Sequence, residues 1–112
     1  MSETTNPIRD EIQKAISEHE VILFMKGRPE QPMCGFSART VAALDALGTS
    51  YAAVDVLPDP RIRQELSAIS NWPTIPQLFH KGELIGGCDI VTEMFQEGEL
   101  QPLVGAEANA TS

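Results

Sequence analysis

Cys34 is the residue of this chain best placed for chemistry, and Ser37 decides which chemistry is open to it. The stretch PMCGFS, Pro32 to Ser37, sets the cysteine where a helix is expected to begin, with a serine where a redox pair would carry its second thiol. Backbone N–H groups at a helix start are unpaired and carry positive potential, which favours a thiolate there over a thiol. A dithiol cycle then needs a resolving sulfur one helical turn on, and Ser37 cannot form a disulfide. Cys34 must find its second sulfur elsewhere. Gly35 allows a ligand or partner backbone to approach closely, and Lys26 adds a cation if the intervening loop folds back. Cys88, taken alone, reads as a small buried hydrophobe, the commoner state of a free cysteine. The two cysteines and two histidines, His19 and His80, lack metal-ligand spacing, so a mononuclear metal site is not expected.

To position Cys34 the chain needs a strand, a loop and a helix in succession. VILFMK from Val21 is a short apolar run suited to a strand buried on both faces. A loop with Pro29 and Pro32 follows, then a helix from about Gly35 with Val41, Leu44 and Leu47 as core positions and Gly48 as its C-cap. Ahead of these, Asn6-Pro7 reads as a helix cap, and Ile8, Ile12 and Ile16 mark one apolar face of a helix running to about Glu18. YAAVDV is the second strand. Asp59-Pro60 repeats the cap-plus-proline signal, and Ile62, Leu66 and Ile69 face the core. PQLFH and ELIG flank Lys81-Gly82 as a hairpin. The last long helix starts near Cys88 or Asp89, with Ile90/Met94 and Val91/Phe95 as apolar pairs, and stops at Gly98; Leu100, Leu103 and Val104 add a further turn. The order helix, β-α-β, helix, β-hairpin, helix predicts a thioredoxin-like α/β fold with a mixed four-stranded sheet and helices on both faces. One domain over residues 6–104 is expected, with flexible ends at 1–5 and 105–112.

Charge and hydropathy remove several function classes. The formal net charge of −8 disfavours nucleic acid and anionic membranes as partners. From Lys26 to Lys81, however, six basic residues stand against five acidic ones, a balance of +1 that leaves −9 for the ends. This locally basic middle suits a small anionic ligand near Cys34; scattered solvated charges are the ordinary alternative. No run of about 18 apolar residues is present to span a bilayer. The start MSETTNPIRDE is polar and acidic where a signal peptide would be basic and then apolar, so a soluble, cytoplasmic protein is expected.

Four motifs, taken in order, carry a family likeness: Lys26-Gly27, CGFS at Cys34 to Ser37, WPTIPQLF at Trp72 to Phe79, and GGCD at Gly86 to Asp89. Over about Ile8 to Val104 the sequence resembles the single-domain monothiol glutaredoxins of the CGFS type. The resemblance implies that the missing thiol belongs to glutathione. It also implies a homodimer bridging a 2Fe-2S cluster, with one Cys34 and one glutathione thiol from each protomer. Such proteins deliver clusters to apo iron–sulfur proteins or act in iron homeostasis, often beside a BolA-like protein, and have weak glutathione-dependent oxidoreductase activity.

The resemblance also assigns residues. Cys34 is the catalytic cysteine and the iron ligand, while Lys26 and Arg63 receive the glycine carboxylate of glutathione; an exposed arginine is otherwise usually only solvated. Pro76 resembles the family's cis-proline, with Ile75 before it turning its backbone toward an extended peptide. Trp72 buttresses the loop bearing Thr74 and Ile75, and Phe36 shields the sulfur. Gly86 and Gly87 clear space for a ligand. The helix start at Cys88 and Asp89 offers N–H groups to the γ-glutamyl carboxylate, with the Asp89 carboxylate beside the ammonium; Asp89 can equally be an ordinary cap. Cys88 falls at the family's second cysteine position and can form a disulfide with Cys34 when glutathione is absent. Three functions stay open: cluster carrier, deglutathionylating oxidoreductase, and adaptor for a BolA-like protein.

Overall fold

The structure, a computed structural model, describes residues 7–104. The Asn6 cap and the ends at 1–5 and 105–112 lie outside the described residues. In chain order the elements are α1 (Pro7–Glu18), β1 (Val21–Met25), β2 (Gly27–Arg28), β3 (Gln31–Pro32), α2 (Gly35–Leu47), β4 (Ala52–Asp55), α3 (Pro60–Ser70), β5 (Gln77–His80), β6 (Glu83–Gly86), α4 (Cys88–Gln96) and α5 (Leu100–Val104).

The main sheet has four strands in the order β4-β1-β5-β6. β1 pairs parallel with β4 and antiparallel with β5, and β5 pairs antiparallel with β6. This is the expected mixed sheet of a thioredoxin-like fold. All five residues of β1 are buried, because helices cover both faces and alternate side chains enter different cores. Val21, Leu23 and Met25 join Val41, Leu44, Val91 and Leu100 from α2, α4 and α5. Ile22 and Phe24 join Ile12, Ile16, Leu66 and Phe79 on the face covered by α1 and α3. There the Phe24 and Phe79 rings meet edge to face with centroids 5.7 Å apart.

Local signals account for the element ends. Asp59 caps α3 by accepting the Arg61 N–H, and Pro60 opens the helix. Gly48 closes α2 in the left-handed region. Lys81 and Gly82 both have positive φ, +51° and +85°, as a two-residue hairpin turn between twisted strands requires.

One expectation needs correction and another is refined. The segment with Pro29 and Pro32 is not plain loop: β2 and β3 form a small antiparallel ribbon pairing Gly27 with Pro32 and Arg28 with Gln31. The two apolar pairs of α4, Ile90/Met94 and Val91/Phe95, do not share one environment. Val91 is buried, but Ile90 is on the surface of α4, because one turn of the helix faces the sheet and the adjacent side faces the cavity described below.

Candidate functional site

β1 ends at Met25 in the middle of the sheet, and the route from there to α2 sets the site. Gly27 turns at φ +89° and its N–H is held by Asp55 Oδ1 at 2.9 Å, at the end of β4. The Met33 N–H bonds the Lys26 carbonyl at 2.9 Å. The ribbon thus folds back and brings Lys26 to the same cavity as Cys34. Cys34 occupies the N-cap position of α2 with extended backbone, φ −153° and ψ 138°, and is partly exposed. Ser37 is wholly buried one turn on, and its Oγ accepts the Lys26 N–H at 3.1 Å.

The Cys34 thiol makes no capping hydrogen bond of full geometry, but the helix start favours its ionised form. Its pKa lies below the ordinary thiol value, first because the Ser37 backbone N–H favours the ionised sulfur; desolvation opposes this, and the Phe36 N–H, the Lys26 charge and the Ser37 hydroxyl assist. Lys26 therefore contributes as expected, though less than the backbone does. Ser37 is more than a lost thiol, since the same side chain joins the end of β1 to the start of α2.

A cavity of about 320 Å³ opens beside Cys34. It gathers Lys26, Cys34, Phe36, Arg63, Thr74, Ile75, Pro76, Gly87, Cys88 and Asp89, with Trp72 and Ile90 completing the wall. Apart from Gly35 and Gly86, the residues singled out from the sequence as site residues are therefore in one place, supplied by the end of β1, α2, α3, the loop before β5, and α4. Lys26 and Arg63 form no ion pair among the described residues. Asp89 is exposed in the first turn of α4, and among the described residues no side chain caps the start of that helix. Cys88 is buried, with its sulfur 3.7 Å from Thr92 Oγ1. The Ile75–Pro76 peptide bond is cis. Met33 and Phe36, flanking Cys34, are 61% and 54% exposed, and Ile90 is 36% exposed; the Arg39 guanidinium lies 5.8 Å from the Phe36 ring centroid. Phe36 is thus largely open to solvent.

The glycines of the last motif divide. A Cβ on Gly86 would strike the Ile90 side chain at 2.6 Å, so Gly86 is required by packing inside the protein. Gly87 is the cavity residue, and a Cβ there would come within 3.1 Å of Trp72 Nε1 and 3.2 Å of the Pro76 carbonyl. Sequence reasoning missed two residues. Ile90, read only as an apolar partner of Met94, lines the cavity. Gln77, wholly buried, donates from Nε2 to the carbonyls of Trp72 at 2.9 Å and Thr74 at 3.0 Å. Gln77 therefore braces the loop from within, in addition to the Trp72 beside it.

A thioredoxin-like sheet with one cysteine at the start of the helix after the central strand defines the class of protein. Comparison with known proteins narrows it. A family profile described as Glutaredoxin matches residues 21–85. Glutaredoxin 4 of Escherichia coli K12 is 56% identical over 95 residues, covering 85% of this chain and 83% of the relative. The probable monothiol glutaredoxin GrlA of Legionella pneumophila is 58% identical over 83 residues, 74% of this chain and 93% of its own. A monomeric truncated mutant of Trypanosoma brucei 1-C-Grx1 superposes with a TM-score of 0.80 at 41% identity, covering 93% of this chain and 94% of that one. A buckwheat glutaredoxin–glutathione complex matches with a TM-score of 0.76 at 26% identity, covering 87% and 86%. The chain belongs to the glutaredoxin family, among its monothiol members.

Proposed function

We propose that this protein binds glutathione in the Cys34 cavity and carries a 2Fe-2S cluster between two copies of itself, for transfer to apo iron–sulfur proteins or for iron homeostasis. One observation carries the reading: a thiolate-favouring sulfur without a second thiol at Ser37 lines a cavity that also holds two cations and a helix start, unpaired and uncapped among the described residues. Glutathione has complementary groups. Its glycine carboxylate pairs with Lys26 and Arg63, its γ-glutamyl carboxylate takes N–H groups at Cys88 and Asp89, and its ammonium meets the Asp89 carboxylate. Thr74, Ile75 and Pro76 provide the wall along its length. The glutathione bound by the buckwheat relative supports this occupant.

The cluster reading comes from the likeness to monothiol glutaredoxins, and ligand number is the condition it has to meet. Among the described residues no group of three or more His, Cys, Asp or Glu side chains is arranged to hold a metal ion. Cys34 therefore contributes one thiolate and needs outside ligands, and a glutathione thiol from the adjoining cavity is the natural partner. Exposed Met33, Phe36 and Ile90 give a second copy an apolar rim to cover. Anaerobic reconstitution with iron, sulfide and glutathione, read by visible absorption and gel filtration, tests this. The expected product is a coloured dimer with about one glutathione per protomer. A cluster that forms equally well without any small thiol overturns the reading.

The lowered Cys34 pKa also favours a second activity, removal of glutathione from glutathionylated proteins. The Cys34 thiolate attacks the glutathione sulfur, a Cys34–glutathione disulfide forms, and the protein thiolate leaves. A second glutathione thiolate then attacks that disulfide, forming oxidised glutathione and restoring Cys34. Steady-state turnover of a glutathionylated protein, with no activity in Cys34→Ser, is the matching test.

A further inference from the structure

Gln77 is a wholly buried polar side chain whose two partners are both carbonyls of the loop between α3 and β5. Its Oε1 is buried without a hydrogen-bond partner among the described residues. Burying an amide with its carbonyl unpaired is unfavourable, and an unbranched apolar side chain would fill similar space without that penalty. Core packing therefore does not account for a glutamine here. The two bonds from Nε2 do. They close a ring across Trp72 to Gln77, and inside that ring lie Thr74, Ile75 and Pro76, which with Trp72 form one wall of the cavity.

The same loop abuts the start of α4. Gly87 is so near the Pro76 carbonyl and Trp72 Nε1 that even a Cβ would press on them. Whatever holds the loop thus also sets its spacing from Gly87, where the helix N–H groups begin. Trp72 adds one more tether, its backbone N–H donating to Ser70 Oγ at 3.2 Å, but among the described residues Thr74 to Pro76 have no side-chain hydrogen-bond brace other than Gln77.

Resting on the glutathione reading above, we propose that Gln77 is a positioning residue for that ligand: its side-chain amide fixes the Trp72–Pro76 loop at the distance from α4 that the cavity needs, without touching the ligand. The class of ligand concerned is a γ-glutamyl tripeptide or its disulfide with a protein thiol, since the cavity offers Lys26 and Arg63 to a carboxylate and Asp89 to an ammonium.

Two variants test this. Gln77→Met keeps volume and removes both donors. Gln77→Glu keeps the shape and turns a carboxylate oxygen toward the two carbonyls. Titration with reduced glutathione, followed by amide NMR, should show about fivefold or more weaker binding in Gln77→Met, the equivalent of one or two lost hydrogen bonds. Gln77→Glu should bind at least as weakly. Hydrogen exchange should quicken at Thr74 and Ile75 while Leu23 and Leu44 keep their protection under conditions where the variant stays folded. In the unmodified protein the Gln77 side-chain amide hydrogens should themselves exchange slowly. A purely structural role lowers the unfolding midpoint but moves neither the affinity of the folded protein nor exchange at Thr74 and Ile75. Affinity within about twofold of the unmodified protein, with unchanged exchange at those two amides, therefore overturns the proposal. If one variant does not fold, the other decides. If the unmodified protein binds no reduced glutathione, the glutathione reading falls, and the exchange rates still decide whether Gln77 braces the loop.

Discussion

Gly27→Ala measures how far the site depends on the turn between Lys26 and Cys34. Gly27 has φ +89°, and an L-residue in the left-handed region costs about 1–2 kcal/mol before any contact is counted. A Cβ there would lie 2.6 Å from the Gln31 carbonyl oxygen and 2.7 Å from both Met33 N and Met33 Cγ. The methionine side chain can swing away, but the Gln31 oxygen belongs to the facing strand of the ribbon and Met33 N follows directly after it. Relief requires β3 to move off β2, which pulls on the 2.9 Å bonds from Gly27 N to Asp55 Oδ1 and from Met33 N to the Lys26 carbonyl. Weakening one or both brings the expected loss to about 2–4 kcal/mol. Urea unfolding of the reduced protein reads this as a lower midpoint with an unchanged slope. Because Met33 leads directly into Cys34, the shift should also slow alkylation of Cys34 at neutral pH. A loss below about 1 kcal/mol with unchanged alkylation would refute the reasoning, since the turn would then be free to relax.

Other outcomes follow from the same geometry. The lowered Cys34 pKa means the folded state stabilises the thiolate, an effect complete above the ordinary value of 9.0 and lost as pH falls through the lowered folded value. The unfolding free energy relative to Cys34→Ala should therefore rise with pH across that window, and a flat difference would contradict the assignment. Lys26→Ala or Arg63→Ala should weaken glutathione binding by about 1 kcal/mol or more in titration calorimetry, whereas unchanged binding would return that residue to a solvated role. Cys34→Ser should abolish cluster reconstitution while Cys88→Ser largely preserves it, because the latter leaves the N–H groups of α4 and Asp89 in place; the reverse pattern would show that the wrong sulfur has been assigned. Ser37→Cys should raise thiol–disulfide turnover in a standard reductase assay by providing the resolving sulfur, and no gain would mean that position 37 is too tightly held to react.

The elements legible in the sequence are those whose signals are local. β1 could be read from five consecutive apolar residues because burial on both faces demands such a run, and α3 from Asp59-Pro60 because cap and proline act within one turn. The Cys34–Ser37 relation is local too, since both belong to the first turn of α2. Tertiary packing decided the rest. The apolar spacing of Ile90 and Met94 is the same whether that side of α4 meets the sheet or a cavity, so sequence could not say that Ile90 is exposed. The two-residue strands β2 and β3 are too short to have a period, and their pairing depends on the Gly27 turn and on Asp55 at the end of another strand. Gln77 looked like an ordinary polar residue at a strand start; its burial and its hold on the loop exist only because both faces of β5 are covered. Lys26, Arg63 and Asp89 come from distant parts of the chain. What unites them with Cys34 is the strand order β4-β1-β5-β6, which the two apolar faces of the sheet impose and no short stretch of residues encodes.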